Sequence, residues 1–456
     1  MPPKDMVLAK TLSLENRKVE TQILHFDGRD WQGYTYAWDD DQKDAVLVPP
    51  GGAEKTVAGR PWSFPARAAC AGCHTVSWAR YLAAFNDPQI VRRDLDRFRA
   101  LGLIKGGEIA GAPGETARLV DPRDASADLG ARARSYLHVN CAICHRPGGG
   151  TSSMLDLRRD RALKETFALD VRPALGAFGL ADPSIIAGGD PTRSVLFYRM
   201  AKMGHGRMPH VGSKVVDEEG LALIGRWIES LAPGKDPGSP AAADVARLLS
   251  STSGALWLMR AVDGGRLPAE SRREAIRQAM AHAEDAVRGL FERFVPEDQR
   301  PRRLGTKIDP RTILALRGDA ERGQRLFFDS TSLQCRTCHT VGGRGESYGP
   351  DLSRIASKLT REKILESILE PSKEIDPKYA GVMVRTEQGA VYTGLLVEKT
   401  DEVVVLRDAQ KAEIRIRKAS VQQMAVQKTS IMPEFLLQSL TAPEAADLLE
   451  FLSSRR

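Results

Sequence analysis

The sequence is poor in aromatic residues, has no long apolar run and has no cysteine outside one repeated pattern. At roughly 150 residues per domain, its 456 residues predict about three domains. Aromatic residues make up only 6% of the chain, which suggests that a large apolar cofactor fills part of the cores. The longest apolar stretch, Ala255–Val262, carries Arg260 and is far shorter than the roughly 20 residues of a membrane helix. We therefore expect no integral membrane segment.

An excess of charge of one sign is also lacking, because 66 basic residues stand among 59 acidic ones, for a net charge of +7. Lys and Arg neutralise phosphates, so a basic chain can bind nucleic acid. Here the basic residues are spread along the chain, as on solvated surfaces. No helix-turn-helix, zinc-finger or aromatic RNA-binding signature accompanies them. The sequence therefore predicts no nucleic-acid partner.

All six cysteines lie in three copies of the pattern Cys-x-x-Cys-His. The copies are Cys70-Ala71-Gly72-Cys73-His74, Cys141-Ala142-Ile143-Cys144-His145 and Cys335-Arg336-Thr337-Cys338-His339. In c-type haem attachment, two thiols add to the vinyl groups of one porphyrin, and two intervening residues let both sulfurs reach the same edge. The adjacent histidine binds the iron as proximal ligand. We therefore predict three covalently bound haem c groups, with His74, His145 and His339 as proximal ligands.

Three other uses of paired cysteines fit this sequence less well. A zinc ribbon needs two Cys-x-x-Cys pairs close enough to share one metal, whereas these pairs are roughly 70 and 190 residues apart. A thioredoxin-like redox pair needs a βαβ setting and would not recur three times with a following histidine. Structural disulfides would not need the histidines. The sequence favours haem over all three.

Met208 and Met432 are the predicted sixth ligands of the second and third haems. Electron-transfer cytochromes c most often close this position with a Met thioether, which raises the reduction potential. Each of these methionines lies nine residues before the predicted start of a terminal helix, at Asp217 and Thr441 respectively. The matching offsets favour one architecture used twice.

The first haem has no such methionine. None occurs between Cys73 and Met154, so the sixth ligand must come from another module or be absent. His138, three residues before the second motif, could reach across a haem–haem interface, and His25 is the next candidate. For His138 an ordinary structural role fits the sequence as well as iron ligation does.

The second and third modules resemble class I cytochromes c, which have an N-terminal helix, Cys-x-x-Cys-His, a Met loop and a C-terminal helix. This resemblance implies that the carbonyl of Pro350 accepts from the ring N–H of His339 and orients the ring. The third module also resembles the C-terminal haem-binding domain family of planctomycete and verrucomicrobial exported proteins. The residues that carry this second resemblance are Gly349-Pro350-Asp351-Leu352, Ile368-Leu369-Glu370-Pro371-Ser372, Gly394 and Met432-Pro433.

Residues 1–230 resemble a family of diheme c-type cytochromes often found behind sugar-dehydrogenase-like propellers. The segments that carry this resemblance are Tyr136-Leu137-His138-x-Asn140-Cys141 and Arg146-Pro147-Gly148-Gly149. The resemblances imply an exported triheme cytochrome that relays single electrons. Its expected partners are a dehydrogenase or a fused upstream domain as donor, and a terminal acceptor.

The expected location is the periplasm or another exported compartment, because c-type haem is attached outside the cytoplasmic membrane. A leader is therefore expected, yet the chain opens on no apolar h-region. Either the leader was removed or this chain is part of a longer exported protein.

A rival function from another class is a peroxidase-like haem redox enzyme at an open first haem. A third is docking of a partner on the edge of a sheet.

The chain divides by composition into four parts. They are a first haem module over 1–120, a second over 125–232, a helical spacer over 241–309 and a third haem module over 310–456. In the third, alternating apolar residues predict an antiparallel β insertion at about 379–427. The predicted fold is mainly α, with three cytochrome c-like helical modules, a small N-terminal β-hairpin region and this insertion.

Local patterns predict some elements in more detail. Alternation in Val19–Phe26 and Trp31–Trp38 predicts a β-hairpin. Apolar residues at i, i+3 and i+4 predict one long helix over Ala269–Phe294, with His282 inside it. The pattern Thr441-x-x-Glu444 is a capping box and predicts the start of the last helix.

Overall fold

The structure is a computed structural model. It describes residues 4–28, 31–65, 67, 70, 97, 100, 119–146, 155–173, 176–204, 206–209, 215–232, 244–305, 308–330, 333, 335–387, 391–408, 411–427, 430–433 and 436–456. The chain divides into two compact units. The first comprises Met1–Leu169, Val211–Lys214 and Glu218–Trp227, and the second comprises Asp170–His210, Val215–Asp217 and Ile228–Arg456.

The α-helices within the described ranges are α1 (Leu129–Asn140), α2 (Val195–Ala201), α3 (Glu218–Ser230), α4 (Val245–Leu249), α5 (Thr252–Asp263), α6 (Ala269–Met280), α7 (Asp285–Phe291), α8 (Pro310–Leu314), α9 (Ala320–Phe328), α10 (Arg361–Leu369) and α11 (Ala442–Ser453). None of them has the length and apolar character needed to span a bilayer. The sequence also predicts two helices in the first haem module, one from the Cys70 motif to Phe85 and one over Gln89–Leu101. Apart from residues 70, 97 and 100, which are helical, this segment lies outside the described residues.

The first unit begins with a four-stranded antiparallel sheet in chain order, followed by a separate hairpin. The strands are β1 (Val7–Leu14), β2 (Arg17–Phe26), β3 (Trp31–Trp38) and β4 (Ala45–Leu47), then β5 (Ala53–Val57) and β6 (Arg60–Phe64). β2 and β3 form a hairpin where the alternation predicted one, with Phe26 opposite Trp31. Val19, Val48 and Phe64 form the buried centre of an apolar cluster. The N-terminal β region is therefore larger than a single hairpin.

Also in the first unit, α1 approaches the first part of α3 closely. The Asp128 carboxylate caps α1 by accepting from the Ala131 N–H at 2.8 Å. A Cβ on Gly220 of α3 would overlap the Tyr136 ring of α1. Glycine at this position leaves room for the Tyr136 ring.

The helical spacer in the second unit contains α4 to α7. The prediction of one helix over Ala269–Phe294 is wrong, because α6 ends at Met280 and α7 begins at Asp285. Between them, the Glu284 N–H donates to His282 Nδ1 at 3.1 Å. The Arg288 guanidinium donates to the His282 carbonyl at 2.8 Å. These side-chain bonds replace the helical ladder, so His282 lies in a turn.

Helices α9, α10 and α11 form most of one apolar core, in which Phe327, Leu365 and Phe451 are buried. The capping box predicted for α11 is confirmed. The Thr441 N–H donates to the Glu444 carboxylate at 2.8 Å, and the Glu444 N–H donates to the Thr441 hydroxyl at 3.4 Å.

The crossing of α9 and α11 is unusually close. A Cβ on Gly323 would overlap the Asp447 carbonyl and would lie 2.8 Å from the Phe451 Cβ. The buried Asp447 carboxylate accepts from the Asp319 N–H at 2.7 Å and from the Arg322 Nε–H at 2.7 Å. These bonds fix the start of α9 against α11.

Between α10 and α11 the chain forms a five-stranded antiparallel sheet in the order β12-β11-β10-β9-β13. After the short pair β7 (Thr340–Val341) and β8 (Arg344–Gly345), its strands are β9 (Gly381–Thr386), β10 (Val391–Lys399), β11 (Val403–Arg407), β12 (Glu413–Arg417) and β13 (Val421–Val426). Val382, Val384, Val404, Leu406 and Ile416 form its own apolar cluster. The sheet occupies the segment predicted as the β insertion.

Candidate haem sites

The third Cys-x-x-Cys-His motif folds into one tight turn after α9. Cys335–Thr337 form a 3-10 turn. The Cys338 N–H donates to the Cys335 carbonyl at 3.2 Å, and the His339 N–H donates to the same carbonyl at 2.9 Å. One acceptor therefore fixes the backbone of the second cysteine and of the histidine relative to the first cysteine.

The ring of His339 is held by the loop that follows this turn. Its Nδ1 lies 2.9 Å from the Pro350 carbonyl oxygen, which can only accept. A Cβ on Gly349 would lie 2.9 Å from the His339 Cε1, so glycine lets the ring contact the backbone. Burial lowers the pKa of His339 and favours the neutral ring. With the proton on Nδ1, the Nε2 lone pair suits iron.

Three sulfurs of the second and third motifs are shielded from water, those of Cys141, Cys335 and Cys338. Burial raises the pKa of Cys141 and of Cys335 to about 12, and it raises that of Cys338 as well. These sites favour an uncharged sulfur, and the thioether of attached haem is uncharged. None of the five described cysteines forms a disulfide, which argues against the disulfide alternative for these five.

The second motif has the same turn as the third. The N–H groups of Cys144 and His145 donate to the Cys141 carbonyl at 3.2 and 2.9 Å. The Leu157 N–H donates to the His145 carbonyl at 2.9 Å, which ties the motif to the segment that follows it. Helix α1 leads into the motif, since the Cys141 N–H donates to the Leu137 carbonyl at 2.9 Å. The two turns have equal hydrogen-bond distances although their sequences share only the motif.

Only Cys70 of the first motif is described; Cys73 and His74 lie outside the described residues. Cys70 is helical, half-buried and close to β3. A Cβ on Gly33 would lie 2.7 Å from the Cys70 Cβ. The sequence analysis missed Gly33, although a glycine inside a strand is a known sign of close approach by another part of the chain.

Both predicted Met ligands lie in loops held by hydrogen bonds. The Met208 N–H donates to the Arg199 carbonyl at 2.9 Å. The Met432 N–H donates to the Ser430 hydroxyl at 3.1 Å, and the Ser430 N–H donates to the Ser372 hydroxyl at 3.1 Å. Both side chains are half-buried. The loop of Met432 is therefore anchored to the segment after α10.

His138 is buried on α1, and a backbone hydrogen bond fixes its ring. Its Nδ1 accepts from the Arg159 N–H at 3.0 Å, so in the neutral ring the proton is on Nε2. Burial lowers the pKa of His138 and favours this neutral form. Such a ring has no lone pair left for iron, which argues against His138 as the sixth ligand of the first haem. The alternative His25 is half-buried and pairs with the exposed Asp5, with Nε2 3.3 Å from its carboxylate.

Within the described ranges, no three His, Cys, Asp or Glu side chains lie close enough together to hold a metal ion. Residues 320–404 match the family model for cytochrome c. This range contains Cys335, Cys338, His339 and Pro350 and ends within β11, so Met432 lies beyond it. No curated protein matches the chain. Residues 320–404 are thus similar to cytochrome c, which implies covalently bound haem c and haem-based electron transfer.

Proposed function

We propose that the chain is a triheme c-type cytochrome with three haem modules, which relays single electrons from a dehydrogenase-type donor to an acceptor. The observation that carries the proposal is the His339–Pro350 hydrogen bond at 2.9 Å, inside the segment that matches cytochrome c. It orients the imidazole so that Nε2 is available to iron. Two observations support the count of three. The turn at Cys141 has the same hydrogen bonds as the turn at Cys335, and the sequence contains a complete copy of the motif at Cys70.

The role of the protein in this proposal is to attach, orient and bury the haems. When bound, the haem iron supplies one-electron redox chemistry. Cys70, Cys73, Cys141, Cys144, Cys335 and Cys338 attach the porphyrins. His74, His145 and His339 are the proximal ligands, and Met208 and Met432 are the sixth ligands of the second and third haems. The proposed location is exported, because c-type haem is attached outside the cytoplasmic membrane.

We expect the intact mass, after acid–acetone extraction of non-covalent haem, to exceed the polypeptide mass by three haems. The protein is made in a host with a haem-attachment system. The double variant Cys335→Ala, Cys338→Ala should retain two haems, because each motif attaches its own porphyrin. Wild-type protein with two haems or fewer would refute the triheme proposal.

A second candidate function is small-molecule chemistry at the first haem. It is favoured by the Arg159–His138 hydrogen bond, which argues against His138 as the sixth ligand of that haem. For an open haem, electron paramagnetic resonance of the ferric protein should show one high-spin signal per chain, and carbon monoxide should bind the ferrous protein. A spectrum with low-spin signals alone, and no carbon monoxide binding, would exclude this function and leave the relay.

A further inference from the structure

Two buried polar side chains on one face of α1 have donor groups for which the described part of the chain offers no acceptor. Arg134 and His138 are four residues apart, so they lie on the same side of the helix, and they are only 7% and 5% exposed. Among the described residues, no acceptor lies within hydrogen-bond reach of Arg134 Nε or His138 Nε2. The buried Nε of Arg159 also has none. Buried polar groups are nearly always paired, so three such donors together indicate a missing acceptor.

Arg134 Nη2 and His138 Nδ1 are already bound, and these bonds orient the two side chains. Arg134 Nη2 donates to the carbonyls of Arg158 and Arg161, both at 2.9 Å. His138 Nδ1 accepts from the Arg159 N–H at 3.0 Å. The rings and planes are therefore oriented by the 158–161 segment. Arg134 Nε and His138 Nε2 are left as N–H donors, and the missing group must be an acceptor.

The charges around these donors favour an anion. Besides burial, which lowers the pKa of His138 most, three cations lower it and one carboxylate raises it. The cations are Arg158, Arg146 and Arg134, and the carboxylate is Asp160. Burial lowers the pKa of Arg134, and the neighbouring Arg159 lowers it further. The buried Asp156 carboxylate does not neutralise Arg134 or Arg159, because it is paired with Arg158 through two hydrogen bonds of 2.9 and 2.6 Å. Asp160 is largely exposed. Positive charge is thus in excess around Arg134 and His138.

We infer that Arg134, His138 and Arg159 bind a haem propionate in the first unit. The inference rests on the proposed haem attachment. A propionate is a carboxylate that a porphyrin carries on its edge, and N–H groups of Arg and His are strong partners for it. His138 lies three residues before Cys141, and the motif of Cys70 belongs to the same unit. The propionate can come from the haem of either motif.

The test measures how the reduction potentials of the full-length holoprotein depend on pH. Donors that stabilise an ionised propionate lower its pKa, so losing one raises the pH of the redox-linked protonation. We expect His138→Leu to raise this pH by about one unit, a shift of the size that one charge-assisted hydrogen bond produces. Arg159→Gln should shift it in the same direction. His138→Gln, which keeps an acceptor for the Arg159 N–H and a donor, should stay close to wild type.

The matched control is Arg132→Gln, which removes a charge from the same helix. Its Nε donates to the Pro122 carbonyl at 2.9 Å, so it is not among the unpaired donors. An unchanged transition in Arg159→Gln, with all haems present by mass, would overturn the inference, even if His138→Leu fails to fold. A high-spin signal that appears in both His138→Leu and His138→Gln would also overturn the inference, because His138 would then be an iron ligand.

The source of the propionate is found by repeating the measurement with Cys70→Ala and Cys73→Ala. If the shift caused by Arg159→Gln persists without the first haem, the propionate belongs to the haem of Cys141. If the shift disappears, it belongs to the haem of Cys70, and both results support the inference. Wild-type protein without covalent haem would refute the proposed function itself, which keeps the two failures distinct.

Discussion

Replacement of Met432 by alanine should lower the potential of the third haem by on the order of 0.2 V, because thioether ligation favours ferrous iron. The long-wavelength charge-transfer band of one Met-ligated ferric haem should also disappear. Met432 is half-buried in a loop that hydrogen bonds through Ser430 to Ser372, so the loop itself should survive the change. Redox titration followed by visible spectroscopy measures both effects.

Met424→Ala is the control for this substitution. Met424 lies in β13 of the same module and packs against the apolar cluster of the sheet. Met424→Ala should lower the free energy of unfolding, because it truncates a packed apolar side chain. It should leave the charge-transfer band and the potential of the third haem unchanged. If Met432→Ala retains the charge-transfer band, the assignment of Met432 as ligand is wrong. If Met424→Ala removes the band, Met424 is the ligand instead. The same pair of measurements on Met208→Ala tests the second haem.

Gly323→Ala should destabilise the third module by about 2 kcal/mol, although alanine is the better helix former. Helix propensity alone predicts a gain of about 1 kcal/mol in free energy of unfolding for Gly→Ala inside a helix. At the crossing of α9 and α11, however, the new Cβ would overlap the Asp447 carbonyl. Overpacking of this kind costs about 1–3 kcal/mol, and a clash with backbone relaxes less easily than one with a side chain.

Hydrogen exchange of the α11 amides reports the local free energy of opening and suits a chain with several modules. The adjacent Gln324→Ala is the control, because Gln324 is exposed on α9. It should leave exchange in α11 unchanged or slightly slower. Faster exchange in Gly323→Ala alone supports the close crossing. Slower exchange there would mean that the two helices do not meet at this glycine.

The elements that the sequence predicted best are those whose signals are local. A capping box needs only Thr441 and Glu444, and both of its hydrogen bonds are present. Strands in the β insertion are marked by apolar alternation, which is a property of neighbouring residues. The long spacer helix was predicted wrongly for a related reason. Apolar spacing continues through residues 281–284, but side-chain hydrogen bonds to His282 end the ladder there.

The candidate sites divide in the same way. The three Cys-x-x-Cys-His motifs were evident because the chemistry of attachment requires that spacing along the chain. The environment of His138 was not evident from the sequence, because its partner Arg159 lies 21 residues away along the chain. Gly33 and Gly220 were also missed, since their meaning depends on Cys70 and Tyr136, which only the fold brings against them.

By itself, the sequence determined the attachment chemistry, the candidate ligands and the local elements, since each depends on residue types at short, fixed spacings. The tertiary structure alone decided how the ligand rings are oriented. Burial lowers the pKa of both His339 and His138, yet Nδ1 of His339 faces the carbonyl of Pro350 and Nδ1 of His138 faces an N–H group. One ring therefore has its Nε2 lone pair available to iron, and the other has an Nε2–H to donate. That difference arises from backbone groups of distant segments, which the spacing of side chains along the chain does not encode.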